Sequence, residues 1–285
     1  MILVTGATGT VGREVVRRLP DGLRVRLMTR DPAKVTVTGE TREAVAADYG
    51  DPRSLERALH GVSAALVITN RVGGDDDREF VRAARAAGVR RLVKVSAAAV
   101  LDPDAVDLIT RWQRTTEELV RTSGLEWTLL RPRAFMSNTL SWAASIRSDG
   151  VVRALYGTSG SACVDPRDIA EVAVRALTED GHAGQAYTVT GPEPITPAEQ
   201  TEQLAQVLGL PLRFEELTPE QARAGLAERY PAPIVEALLG SAQRQLAGAK
   251  SAVDGTVGSL TGRPAITFRK WAEDYRNAFS IEPGL

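Results

Sequence analysis

The sequence has few of the side chains on which covalent cross-links and metal sites depend. Its 285 residues include one cysteine, Cys163, and two histidines, His60 and His182. A single cysteine excludes an intramolecular disulfide, and two separated histidines cannot build a histidine-rich metal site. We expect a protein of a reducing compartment that uses no metal, with Cys163 small and buried and His182 in a surface turn.

An excess of one charge and a long apolar run are also missing. The net charge is −1, from 35 basic and 36 acidic residues, so nothing indicates binding to nucleic acid or an anionic membrane. No apolar run approaches the ~20 residues of a membrane span, and the first predicted strand starts at Ile2, which leaves no room for a signal peptide. We expect a cytoplasmic protein whose partners are small molecules.

Short runs rich in β-branched residues alternate with helical patterns, which is typical of a parallel sheet covered on both faces. This alternation predicts an α/β fold: a Rossmann-type doubly wound parallel sheet in residues 1–131, able to take strands from 151–155 and 185–190, and a smaller, mostly helical C-terminal lobe in residues 132–285. The predicted strands are 2–5, 23–29, 44–48, 64–69, 91–96, 127–131, 151–155 and 185–189. The predicted helices are 11–19, 52–59, 78–87, 111–122, 135–146 and 167–177, followed mostly by helices to Phe279 with a loop at 248–262.

The segment Gly6-Ala7-Thr8-Gly9-Thr10-Val11-Gly12 follows the first strand and opens the first helix. In that position Gly6 can make a tight turn, Gly9 lets backbone approach a pyrophosphate, and Gly12 lets the helix pack closely on the sheet. The GxxGxxG spacing is a variant of the GxGxxG pattern of many dehydrogenases. It predicts a dinucleotide site formed by Gly6, Thr8, Gly9, Thr10, Val11 and Gly12.

Arg30 ends the second strand, 18 positions after Gly12 (30 − 12). NAD-binding proteins usually carry an acidic residue about 20 positions after the loop, whereas a guanidinium matches the 2′-phosphate of NADP. Arg30 therefore predicts NADP(H) in preference to NAD(H), and Lys34 would add positive charge. Asp31 could instead pair with Arg30 or accept the ribose hydroxyl of NAD.

Two further strand ends contribute candidates for the same cofactor. Asp48 either meets the adenine edge or caps the next helix, although Asp51, followed by Pro52, is the better cap. Thr69 and Asn70, after the fourth strand, either line the crevice near the pyrophosphate or the nicotinamide ribose, or simply begin a loop.

Several motifs together resemble the NmrA-like group of atypical short-chain dehydrogenases/reductases, which includes quinone reductases and redox-sensing regulators. The motifs are the glycine loop, Met28-Thr29-Arg30, Ala47-Asp48, the segments 91–96, 127–132 and 135–138, Val164-Asp165-Pro166-Arg167-Asp168-Ile169-Ala170, and Phe268-Arg269-Lys270-Trp271-Ala272. The resemblance runs nearly end to end. It implies a Rossmann domain, a small C-terminal lobe and a substrate pocket over the nicotinamide.

The wider superfamily transfers protons with a serine and a Tyr-x-x-x-Lys pair, which this chain lacks. No tyrosine lies between Tyr49 and Tyr156, and no lysine between Lys94 and Lys250. The resemblance places Ser96 at the serine, Ile109 at the tyrosine and Gln113 at the lysine. The catalytic candidates are Ser96, Gln113, and Tyr156 as a substitute acid. Ser96 either lines the pocket, where it would also bind cofactor, or caps the next segment.

The segment around the end of the sixth strand supplies candidates for the substrate pocket. Four large side chains could form the walls of a pocket for a flat substrate or lie in the core: Trp112, Phe135, Met136 and Trp142. Pro132 borders the same pocket. Asn138 could orient a substrate or lie on a helix surface. Arg131 and Arg133 could anchor an anionic substrate, although a structural ion pair is the simpler interpretation of Arg131.

These observations leave three functional hypotheses. The first is an NADPH-dependent reductase of a small electrophile, namely a quinone, enone, imine or carbonyl compound. The second is a non-catalytic NADP(H) sensor that binds a partner protein, which the missing dyad suggests. The third is a redox-neutral isomerase, cyclase or dehydratase, for which the sequence offers no acid/base pair.

Overall fold

The computed structural model describes residues 1–35, 37 and 39–280, which contain nine β-strands and eleven α-helices. The strands are β1 (Ile2–Val4), β2 (Val25–Thr29), β3 (Arg42–Ala46), β4 (Ala64–Val67), β5 (Arg91–Val95), β6 (Glu126–Pro132), β7 (Val151–Ala154), β8 (Gln185–Val189) and β9 (Arg213–Glu216). The helices are α1 (Thr10–Arg18), α2 (Pro52–Leu59), α3 (Asp76–Ala86), α4 (Leu108–Arg121), α5 (Ala143–Asp149), α6 (Pro166–Thr178), α7 (Pro197–Leu208), α8 (Pro219–Ala227), α9 (Ala232–Leu246), α10 (Thr256–Thr261) and α11 (Phe268–Asp274).

Seven of these strands form one parallel sheet in the order β3-β2-β1-β4-β5-β6-β8. The order reverses between β1 and β4, and open sheets of this kind bind ligands at the carboxyl ends of the strands near such a reversal. Leu3, Leu66, Leu92 and Leu129 of the central strands are fully buried, so the sheet has the apolar faces that the sequence pattern predicts. The expected Rossmann-type fold is confirmed.

The chain divides into two compact units that interleave along the sequence. The sheet unit comprises Met1–Val100, Ile109–Pro132 and Pro166–Val189, and the second unit comprises Leu101–Leu108, Arg133–Asp165 and the chain from Thr190 onward. A single boundary at residue 131 does not reproduce this division, because α6 and β8 return to the sheet. Of the two extra strands expected in the sheet, β8 joins it beside β6, whereas β7 pairs with β9 in a separate two-stranded sheet.

An aromatic stack forms the core of the second unit. Trp271 is fully buried, stacks on Phe268 and Tyr275 and meets the edge of Phe279. Met136, Ile146 and Val152 belong to the same hydrophobic cluster.

Three local predictions differ from the structure in this unit. The predicted helix 135–146 is a 3-10 helix, Met136–Trp142, followed by α5, the predicted loop 248–262 contains α10, and β9 was not predicted. Only one of the four residues of β9, Arg213-Phe214-Glu215-Glu216, is apolar, so the strand lacks the apolar pattern on which strand prediction depends.

No helix among the described residues is both long enough and apolar enough to cross a membrane.

Candidate cofactor and active site

The glycine loop lies between β1 and α1 in the sheet unit and is held by its own backbone. Gly6 has a left-handed φ of +60°, and its carbonyl oxygen accepts a hydrogen bond from the Gly9 N–H at 2.8 Å. A Cβ at Gly12 would lie well inside van der Waals distance of the same Gly6 oxygen. Gly12 therefore permits the close passage of the helix across the loop, as the sequence predicts.

The start of α1 is exposed at residues 8–10, and no side-chain hydrogen bond caps it among the described residues. Thr8, Gly9 and Thr10 are exposed and Val11 is buried. The N-cap residue is Gly9, which has no side chain to accept a hydrogen bond from the first N–H groups of the helix. Arg13, also exposed, donates from its guanidinium to the Thr8 carbonyl at 3.1 Å. Free N–H groups at a helix start bind phosphate, so these residues fit the pyrophosphate of a dinucleotide.

The ends of β2 and β3 carry the residues expected near the adenosine. Arg30 is exposed and has no ion-pair partner among the described residues, whereas Asp31 pairs with Lys34 at 3.3 Å and accepts from the Ala33 N–H. Asp31 is therefore engaged with Lys34 and not with Arg30. Asp48 is exposed and accepts from the Gly50 N–H at 2.8 Å.

The cap of α2 is Asp51, which accepts from the Arg53 N–H and precedes Pro52 at the first helical position. The cap assignment made from the sequence is thus observed, and Asp48 is not the residue that caps this helix.

A buried charged network underlies the ends of β4 and β5. Thr69 donates to Asp77 at 2.9 Å and accepts from the Lys94 ammonium at 2.8 Å. Lys94, which is fully buried, also pairs with Asp77 at 3.2 Å, and Thr116 donates to the same carboxylate. Burial lowers the pKa of Lys94, and Asp77 acts in the opposite direction. The network fixes the Thr69 side chain, while the neighbouring Asn70 is exposed.

Ser96 belongs to a second buried network. Its hydroxyl donates to Glu117 at 2.7 Å, and Arg131 holds the same carboxylate through two hydrogen bonds of 2.8 and 2.5 Å. Burial opposes ionisation of Glu117, but the hydrogen bonds from Arg131 and Ser96 outweigh it and lower the pKa of the carboxyl. The one hydroxyl hydrogen of Ser96 is thus engaged, which leaves Ser96 as a hydrogen-bond acceptor toward any ligand.

Gln113 lies on the buried face of α4, one turn before Glu117. Its side-chain oxygen is buried and has no hydrogen-bond partner among the described residues. An unpaired buried amide oxygen costs about 1–3 kcal/mol, and a ligand hydroxyl would remove that cost. Trp112, the preceding residue, is half-buried, with the Lys94 nitrogen 5.8 Å from its ring centroid.

The second unit carries most of the residues predicted for the substrate pocket, whereas Pro132 ends β6 in the sheet unit. Met136 is 1% exposed and lies in the hydrophobic core, and Trp142 packs partly buried against the same core. Phe135 is half-buried and Asn138 is exposed. Tyr156 is half-buried and is the one non-glycine residue with a positive φ, +53°, in the described part of the chain.

Sequence reasoning missed Asp77 and Glu117, because their partners are distant along the chain. The detectable signal was Lys94 itself, since a lysine within an apolar strand requires a buried partner. The surface position expected for His182 was wrong: the residue is 7% exposed and its Nδ1 forms a hydrogen bond of 2.8 Å with the Tyr187 hydroxyl. Cys163 is buried as expected, and burial raises the pKa of its thiol to about 12.

Comparison with known proteins agrees with this geometry. Residues 6–180 match a family model described as NAD(P)H-binding. The chain is 58% identical over 282 residues to a (4-alkanoyl-5-oxo-2,5-dihydrofuran-3-yl)methyl phosphate reductase of Streptomyces griseus, covering 99% of this chain and 100% of the relative. It is 37% identical to an NAD(P)H azoreductase of Xenophilus azovorans, covering 98% and 99%.

Among solved structures, the chain is similar to the NADPH-dependent quinone oxidoreductase of Escherichia coli complexed with NADPH. The TM-score is 0.84 at 28% identity, and the match covers 97% of this chain and 100% of the other. A family model that matches more than half of the chain, together with relatives matched over nearly their whole length, confirms the resemblance inferred from the motifs. The chain belongs to the NAD(P)H-binding family, among its NmrA-like, quinone-reductase-like atypical short-chain dehydrogenases/reductases.

Proposed function

We propose that this protein uses NADPH to reduce the ring double bond of an acyl-substituted butenolide that carries a phosphate monoester. The observation that carries the proposal is the end-to-end similarity to the Streptomyces griseus reductase, in which more than half of the residues are identical. The accessible N-terminus of α1 and the unpaired Arg30 support a phosphorylated dinucleotide as the reductant.

We assign the cofactor contacts from the positions of the strand ends. The glycine loop would hold the pyrophosphate, Arg30 the 2′-phosphate, with Lys34 adding charge nearby, and Asp48 the adenine edge. Thr69, Asn70 and Ser96 would face the nicotinamide ribose, because they follow β4 and β5 at the carboxyl edge of the sheet. When bound there, NADPH supplies a hydride.

The substrate chemistry explains why this chain can lack the Tyr-x-x-x-Lys pair. The double bond of such a butenolide is conjugated both to the ring carbonyl and to the alkanoyl carbonyl. Addition of hydride to the far alkene carbon sends the electron pair to the carbon between the two carbonyls, where both oxygens share the charge. That enolate needs little acid assistance as it forms, and one proton added to the same carbon completes the reduction.

The resemblance aligns Gln113 with the lysine of the superfamily. Its unpaired amide oxygen can accept a hydrogen bond from a ribose hydroxyl, which replaces the orienting function of the lysine but not its charge. The Asp77–Lys94 pair would keep Thr69 in place beside the same ribose, and Glu117 would keep Ser96 oriented as an acceptor.

The proton donor and the substrate walls are assigned to residues that are half-buried or exposed, with the exception of Pro132, which is buried. Tyr156 is the candidate acid, and its positive φ supports this choice, because strained backbone of this kind clusters at functional sites. Trp112, Pro132, Phe135, Asn138 and Trp142 are the candidate pocket residues, whereas the burial of Met136 favours a structural role.

The test is anaerobic oxidation of NADPH, followed by its absorbance, with the purified protein and several acceptors. We expect turnover of the butenolide phosphate, and slower or no turnover of a simple ketone that lacks the second carbonyl. Turnover of quinones alone would contradict the proposal and favour the quinone reductase activity named for the Escherichia coli relative. Tight NADPH binding without oxidation of any acceptor would favour the sensor hypothesis.

A further inference from the structure

Three cationic side chains gather in the second unit, and only one of them is neutralised. Arg244, on α9, pairs with Asp102 at 3.2 Å and with Asp107 at 2.7 Å. Arg133 has no ion-pair partner among the described residues, and its buried Nε has no hydrogen-bond partner there. Lys250 reaches the side-chain oxygen of Gln245 at 3.4 Å, which is a weak contact.

The cations of this cluster are not paired equally. Asp102 and Asp107 both contact Arg244, whereas neither Arg133 nor Lys250 has an ion-pair partner among the described residues. Burial, and then repulsion from Arg244 and Arg133, lower the pKa of Lys250 to about 8, with Asp107 opposing them. Burial also lowers the pKa of Arg133, with Asp102 opposing it. Burying cations close together without a carboxylate partner costs folding free energy, unless a bound anion compensates their charge.

One short segment of backbone passes beside both Lys250 and the neighbour of Arg133. The Ala162 N–H donates to the Lys250 carbonyl and the Val164 N–H to the Ala134 carbonyl, each at 2.9 Å, and Ser161 begins this segment. The Ser161 hydroxyl is 5% exposed and unpartnered among the described residues. Gln245, which contacts the Lys250 ammonium, donates to the Ser159 carbonyl at 3.0 Å. A guanidinium, an ammonium and a hydroxyl are the donors with which proteins bind phosphate monoesters.

The position of Arg133 along the chain suits a substrate anchor. It directly follows Pro132, the last residue of β6. The carboxyl ends of the strands are the edge at which this fold binds its ligands.

We propose that Arg133 and Lys250, assisted by Ser161, bind the phosphate monoester of the substrate, while Arg244 stays paired with the two aspartates. The inference rests on the proposed function for the identity of the phosphate compound, but the anion site itself is carried by the unpaired cations. Such a site would bind a phosphorylated substrate more tightly than the otherwise identical alcohol.

The first test compares the butenolide phosphate with its dephosphorylated alcohol as substrates. We expect Arg133→Gln and Lys250→Gln each to lower kcat/KM for the phosphate by roughly 10- to 100-fold, the value of one charged hydrogen bond. We expect kcat/KM for the alcohol to change less than about twofold, because the alcohol does not use the site. Arg223→Gln and Lys270→Gln are matched controls at exposed ion pairs and should leave both substrates unaffected.

A pH profile adds a readout that a purely structural role would not move. The kcat/KM for the phosphate should fall above about pH 8 as Lys250 loses its proton, and this decline should be absent in Lys250→Gln. Equal losses for phosphate and alcohol in both variants would overturn the phosphate site and leave the reductase activity standing.

The second measurement does not depend on turnover. Butyl phosphate, titrated calorimetrically into the wild-type protein, should bind and should bind at least about tenfold more weakly to Arg133→Gln and Lys250→Gln. If the butenolides are not reduced but butyl phosphate binds in this pattern, the substrate assignment fails and the anion site remains. If butyl phosphate does not bind, or binds all variants equally, the site is refuted.

Discussion

Arg30 and Arg24 bracket the same strand, β2, and both are exposed. Only Arg30 lies at the carboxyl end, where ligands of parallel sheets bind. Arg30 is therefore a candidate for cofactor binding and Arg24 is not. The chain has 31 arginines, and composition alone could not decide which of them is functional. Position at a strand end is what makes Arg30 the candidate, and that position was available from the sequence.

We expect Arg30→Ala to weaken NADPH binding by roughly 10- to 100-fold and NADH binding by much less, because NADH has no 2′-phosphate to contact. Fluorescence titration of both nucleotides measures the difference. Arg24→Ala, at the opposite end of β2, serves as the control and should bind both nucleotides as the wild type does. An equal loss of affinity for the two nucleotides in Arg30→Ala would rule out the 2′-phosphate contact.

Residue-scale prediction failed where a side chain is paired with a distant one. Thr69, Asn70 and Ser96 could be placed at strand ends because their local sequence predicts strands. That the Ser96 hydroxyl is donated to Glu117 depends on how α4 packs against β5, which no local pattern encodes. Arg244 and Asp107 are likewise 137 positions apart along the chain, so no local pattern predicts that they pair.

The elements of the sheet unit were predictable from their burial. Strands covered on both faces form continuous apolar runs, and β4 and β5 are buried at every residue. The pattern does not reveal which sheet a short strand joins, and β7 illustrates this, because it has ordinary strand residues but pairs with β9. The boundaries of α2 and β8 match the predicted ranges, since Asp51–Pro52 and Gly184 mark where these elements start.

The junction of the glycine loop and α1 is the element to which we assign the pyrophosphate of the cofactor. We expect Gly12→Ala to abolish measurable NADPH binding and to lower thermal stability, because the new methyl group would collide with the backbone of Gly6, which cannot move aside as a side chain can. Gly22→Ala is the matched control, since a Cβ there meets no atom within 4 Å and its φ is not left-handed. Nucleotide titration and thermal unfolding provide the measurements. Unchanged binding in Gly12→Ala would show that the loop does not hold the pyrophosphate.

At the scale of the whole molecule, the sheet unit is assembled from three separate stretches of chain. Its last stretch provides α6 and β8, and α6 is tied to earlier elements by an Arg18–Glu171 contact of 3.7 Å and a bond from Arg91 to the Leu177 carbonyl. Eight residues of α6 are buried, which shows how much of the unit depends on this late segment.

We therefore expect a fragment of residues 1–131 to lack a cooperative thermal transition, even though it contains six of the seven strands of the sheet. Removing α6 exposes the apolar surface of α1 that it covers, and removing β8 leaves β6 unpaired on one side. Circular dichroism on heating distinguishes the outcomes, with the full chain as the control. A sharp, reversible transition of the fragment would mean that residues 1–131 form an independent domain.

The late arrival of β8 also affects synthesis on the ribosome. Val189, at the end of β8, is translated 57 positions after Pro132, at the end of β6 (189 − 132). At ~5–20 residues per second, the nascent chain presents β6 as an open sheet edge for roughly 3–11 s. During that interval the growing polypeptide offers chaperones a hydrogen-bonding edge that the finished protein no longer has.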